Sequence, residues 1–103
     1  MPYYDKLVRD RIPEIIQKKG ETPVVHVADE AEYRRRLKTK LQEETEEFFA
    51  AENLEELADV LEVVYALRDL LTQNPKELEK VRLQKRKERG GFEGRIVLEE
   101  TSP

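Results

Sequence analysis

The chain has no cysteine, so neither disulfides nor thiolate metal sites are open to it, which fits a reducing cytoplasm. It shows no signal peptide, because MPYYDKLVRD is charged from residue 5, and no apolar run approaches membrane length. A cytoplasmic protein without a membrane partner is therefore expected. A one-sided charge is missing too: 41% of the 103 residues are charged, yet the net charge is only −4, so both signs are interleaved. A nucleic-acid partner would ask for a clear basic excess and aromatics within it. Here the excess is confined to Lys80–Arg95, and no nucleic acid is expected. Repeats, low-complexity tracts and linkers are absent as well, which reads as a single domain over 1–103. A core of that size is modest, and self-association is a natural way to extend it.

What is present is mostly helix-forming. An extended lead, YYDKLVRD, runs into a short helix with Pro13 in its first turn, Ile12, Ile15 and Ile16 on one face and Gly20 at its end. TPVVHVAD is β-branched and bounded by Pro23 and Asp29, as a strand would be. A long helix is expected from about Glu30 to Ala51, where Gly and Pro are absent. Asn53 offers the cap of a second, running to about Thr72. Asn74, Pro75 and Glu77 announce a third, which Gly90-Gly91 should end. The tail GRIVLEE is strand-like again. The expectation is an all-α helical bundle with a small two-stranded β element, about 23–28 paired with 94–100.

One run does not fit a simple amphipathic pattern: LQEETEEFFAAENLEELADVLEVV, Leu41 to Val64. Helical neighbours three apart are separated by about 60° around the axis and about 4.5 Å along it, so they share a face. Glu56 then lies in line with Val60, Val63 and Leu67, and Asp59 with Val63, Ala66 and Leu70. Glu55, Glu62 and Asp69 form a separate, solvated column. In the preceding helix Glu44 shares the column of Leu37, Phe48 and Ala51, with Glu47 three residues on, while Glu46 points away. Four acids on two inward faces must take up protons or recruit a cation. Oxygen-only donors without histidine or cysteine suit Mg²⁺, or Mn²⁺, better than Zn²⁺. The plainer readings are a capping box from Asn53 to Glu56 and surface pairing of the acidic run with Lys38 and Lys40.

The spacing E-E-x-x-E at Glu43, Glu44 and Glu47, followed by E-x-x-D at Glu56 and Asp59, resembles the all-α nucleoside triphosphate pyrophosphohydrolases. These are the MazG-like and phosphoribosyl-ATP pyrophosphohydrolase-like proteins. The segments YDKLVRDRIPEII and KRKERGGFEGRIVL resemble a subgroup of predicted house-cleaning pyrophosphatases. One departure is the eight residues, 48 to 55, between Glu47 and Glu56, fewer than in MazG proper, which implies a tight interhelical turn. The resemblance implies Glu44, Glu47, Glu56 and Asp59 as magnesium ligands and Glu43 as the acid that orients or deprotonates the attacking water. It also implies cleavage between the α and β phosphates to a nucleoside monophosphate and pyrophosphate. The alternatives are phosphoribosyl-ATP hydrolysis in histidine synthesis and a non-catalytic helical interaction module.

A triphosphate also needs cations. Lys85 and Arg89 share the column of Leu78 and are expected to point inward. Lys6 and Arg9, three apart, form a second pair, with surface pairing to Asp5 and Asp10 as the plainer reading. Phe92 is expected in the core and His26 in a structural role. In the second long helix Leu54, Leu57, Leu61 and Tyr65 form a stripe that Val60, Val63, Val64 and Leu67 widen beyond one partner helix. A homo-oligomer, a dimer or a dimer of dimers, is the expected solution.

Overall fold

A computed structural model describes residues 4–103, and the first residues of the N-terminal lead fall outside that range. The described residues form four helices: α1 (Ile12–Lys18), α2 (Glu30–Ala51), α3 (Leu54–Leu71) and α4 (Glu77–Arg89). The chain divides into two units, Met1–Leu71 and Thr72–Pro103.

The helix boundaries follow local chemistry. Asp29 caps α2 by accepting a hydrogen bond from the Glu32 N–H at 2.9 Å. Asn53 caps α3 in the same way, accepting from the Glu56 N–H at 2.8 Å. Between them Glu52 takes a left-handed conformation (φ 48°) and its N–H closes on the Phe48 carbonyl. The joint between the two long helices is therefore only Glu52 and Asn53, the tight turn that the short spacing implies. It folds α3 back onto α2, and this hairpin is the main packing of the first unit. Asn74 accepts from the Lys76 N–H at 3.0 Å, so it caps a turn, and α4 itself starts at Glu77.

A chain of hydrogen bonds ties the N-terminal lead to α2. Arg36 donates through Nε to Glu32 Oε2 at 2.7 Å and through its terminal nitrogens to the Asp5 carbonyl (2.9 Å) and Asp5 Oδ1 (3.0 Å). His26 Nε2 lies 2.8 Å from the same Glu32 oxygen.

Three expectations are corrected. No strand forms among the described residues: 23–28 and 94–100 are irregular, and Val24, Val27, Ile96 and Val97 are almost wholly exposed. β-Branched composition gives a segment the potential to pair, but a lone two-stranded ribbon with no layer against it is marginal. Phe92 is likewise exposed and plugs no core. Finally, α4 has no buried residue, so the column of Leu78, Lys85 and Arg89 is not an inward face within its unit.

The buried set is small and unusual. Among the described residues Leu37 (3% exposed) and Val63 (7%) are its apolar members, and Glu44 (8%) is its polar one. The apolar stripe of α3 stays open, with Leu57 at 45%, Leu61 at 47% and Tyr65 at 41% exposed.

Candidate metal centre

The α2–α3 hairpin brings three of the four expected ligands together. Glu44, Glu56 and Asp59 each offer a carboxylate oxygen, and these atoms all lie within 4.8 Å of one another. The helical columns account for this. Glu44 is buried, and Glu56 and Asp59 are half-buried, whereas Glu46, Glu55, Glu62 and Asp69 are exposed. Glu47 is exposed and outside the trio, yet it feels the trio's charge. Its carboxyl is pushed above the usual range, first by a hydrogen bond to the Glu44 side chain, then by that group's charge, lost solvent and the Glu56 charge, against a lowering by Lys40.

Two cations approach the cluster. Arg9 donates a hydrogen bond to Asp59 Oδ1 at 2.6 Å, across fifty residues of sequence. Lys40 Nζ lies 3.4 Å from Glu44 Oε1 and 3.7 Å from Glu43 Oε2. The plainer reading of Arg9, pairing with Asp10, is not what forms. That of the acidic run is half met: Lys40 does pair with Glu43 and Glu44. Compensation remains incomplete, because Glu44 Oε2 and Glu56 Oε2 are buried with no hydrogen-bond partner. The capping box is also one-sided: Asn53 serves the Glu56 N–H, while one Glu56 carboxylate oxygen has no partner. Buried orphan oxygens on neighbouring acids fit a hard cation, and a donor set of oxygens alone suits magnesium or manganese.

The remaining expected site residues lie at different places. Glu43 is half-buried beside Lys40. Lys6 lies over the Tyr4 ring, 5.7 Å from its centre. Lys85 and Arg89 belong to the second unit, where Lys85 lines a shallow depression on α4 with Glu77, Lys80, Val81 and Gln84. Sequence reasoning missed Arg35 and Arg36, which line a cleft with Lys6 and Lys40. The Glu32–Arg36 spacing of four was the one available signal. The link from Arg9 to Asp59 carries no sequence signal at all.

Fold and site together define a helical protein with an incompletely compensated acid cluster on an α-hairpin, and no helix among the described residues is long and apolar enough to cross a membrane. An uncharacterized protein from Mycolicibacterium smegmatis is 49% identical to this chain over 47 residues, which cover 46% of the chain and 48% of that protein. The chain thus spans about half the length of this curated relative. No family model and no solved structure matches the chain.

Proposed function

We propose that this protein is a magnesium-dependent nucleoside triphosphate pyrophosphohydrolase of the MazG-like, all-α type, acting on aberrant nucleotides. The observation that carries the proposal is the trio Glu44, Glu56 and Asp59 with two buried oxygens lacking partners. Glu44, Glu56 and Asp59 would hold the ion, with Glu47 beside them. When bound, the ion would neutralise phosphate charge and lower the barrier to attack by water.

The chain's own residues account for the rest. Glu43 accepts a proton from the attacking water, and Lys40, 3.7 Å from Glu43 Oε2, holds that carboxylate in place. The water oxygen bonds to the α-phosphorus as the α–β bridging bond breaks, and its electron pair departs with pyrophosphate. Arg9 is close enough to the acids to turn from Asp59 to a phosphate oxygen.

The active form in this reading is a homo-oligomer. Few apolar side chains are buried, and the Leu54–Leu57–Leu61–Tyr65 stripe is open, so a second copy of the hairpin supplies the missing cover.

Isothermal titration with Mg²⁺ and Mn²⁺, followed by pyrophosphate assays on a panel of standard and damaged triphosphates, tests the reading. Metal binding, and pyrophosphate release that disappears in Glu44→Gln, are expected. A wild-type protein that binds neither ion, or releases no pyrophosphate from any triphosphate, overturns it.

A further inference from the structure

Beside the acid cluster, the N-terminal lead and α2 enclose a cleft of about 200 Å³. Four cationic side chains line it, Lys6, Arg35, Arg36 and Lys40, against two acids, Asp5 and Glu43. Their commitments differ. Arg36 is spent on Glu32 and Asp5, and its three hydrogen bonds fix one wall to the helix. Lys40 stands between Glu43 and Glu44 and forms the partition between cleft and carboxylates. Lys6 and Arg35 have no acidic partner among the described residues, although both are within one salt-bridged neighbourhood. Thr39 adds a hydroxyl whose hydrogen bond to the Arg35 carbonyl is long, at 3.4 Å, and easily exchanged.

Two cations without an acidic partner, Arg35 and a Lys6 held only by the face of the Tyr4 ring, on a wall already fixed by other bonds describe a preformed anion site. Its position limits the anion. An anion there shares Lys40 with the carboxylate cluster, so a ligand with several linked phosphates would reach from one to the other. We propose that this cleft is the seat of the terminal phosphates of a polyphosphate substrate, gripped by Lys6 and Arg35 with Lys40 at the junction. The proposal rests on the pyrophosphohydrolase reading and sharpens it. The two phosphates that leave as pyrophosphate sit on α2 and the N-terminal lead, and the α4 pair Lys85 and Arg89 is not required to hold them. A triphosphate is then distinguished from a monophosphate by contacts remote from the bond that breaks.

Inorganic tripolyphosphate is the probe, titrated calorimetrically into the full chain with and without Mn²⁺. The Lys6→Gln/Arg35→Gln double variant should weaken binding by about tenfold or more in both conditions, while Mn²⁺ affinity alone is unchanged. Lys6→Arg/Arg35→Lys, which keeps both charges, should restore most of the affinity. The Lys85→Gln/Arg89→Gln variant should bind as the wild type does. Equal tripolyphosphate affinity in wild type and the Lys6/Arg35 double variant overturns the assignment, as does a loss seen only in the Lys85/Arg89 variant. Failure of the metal reading looks different: Mn²⁺ then binds nowhere, whatever tripolyphosphate does.

Discussion

The two flanks of α3 are dressed the wrong way round for an isolated helix. One carries Glu56 and Asp59 and is turned into the hairpin against Glu44, which is 8% exposed. The other carries Leu57 and Leu61, left 45% and 47% exposed. Hydrophobic burial alone would reverse the two, since each leucine fully removed from water is worth roughly 2 kcal/mol and each ionised carboxylate resists the move. A helix that turns half-buried acids into its hairpin while leaving its leucines half exposed gains from whatever completes both flanks. In the proposed function a cation would do so on one side and a second copy of the chain on the other.

The largest effect expected from breaking the acidic flank is on chemistry. Glu56→Gln should reduce pyrophosphate release by at least about a hundredfold, and Glu55→Gln, on the exposed column, should leave it near normal. Equal losses in the two variants would show that the facing of α3 is irrelevant to function. Thermal unfolding offers a second readout. Mg²⁺ should raise the melting temperature of the wild type and of Glu55→Gln, but not of Glu56→Gln.

On the apolar flank, Leu57→Asp/Leu61→Asp places charge where the second copy is expected. Sedimentation at micromolar concentration should show the wild type as an oligomer, and the double variant weakened in self-association by about a hundredfold. A wild type that sediments as an active 12.2 kDa monomer would remove the need for a partner on that side.

A smaller effect sharpens the comparison at Asp59, where the acidic flank already has an internal cation. Arg9→Gln frees that carboxylate. Because both side chains are about half exposed, the pair is weak, and Mn²⁺ should bind only about two- to fivefold tighter. Turnover should nevertheless fall, since Arg9 is then missing from the phosphates. Unchanged or weaker Mn²⁺ binding in the variant would mean that Arg9 does not compete with the ion.

The smallest effect concerns protons. Glu47 holds its proton more firmly in the folded chain than in the unfolded one, chiefly through Glu44. Its favourable contribution is therefore complete below the ordinary glutamate pKa, about 4, and is lost as pH rises through the elevated folded value. Metal-free protein should lose melting temperature as pH climbs out of the carboxylate range, and Glu47→Gln should flatten that slope. The same slope in both proteins would separate Glu47 from the cluster's electrostatics.

The helical part of this arrangement was legible because its signals are local. A run without Gly or Pro, Asp29 and Asn53 as caps, and the three-residue columns together placed α2, α3, Glu44, Glu56 and Asp59. Glu47 was only half legible: its column suggested burial, but it lies at the exposed rim and meets the cluster through Glu44. TPVVHVAD and GRIVLEE failed because strand formation depends on a neighbour, which composition does not reveal. The Arg9–Asp59 contact was invisible for a related reason, since nothing local joins two residues fifty apart.

The two-residue joint at Glu52 and Asn53 makes the centre a matter of counting as well as chemistry. Glu44 lies before the joint and Glu56 and Asp59 after it, and so short a connection leaves almost no slack to absorb a change in length. Each residue added within α3 ahead of Asp59 would advance the helical phase by about 100°, carrying that acid round towards solvent while Glu44 stayed behind. A whole added turn would restore the phase but shift the acid about 5.4 Å along the axis from Glu44, so chain length across the hairpin is under the same constraint as the identity of the acids.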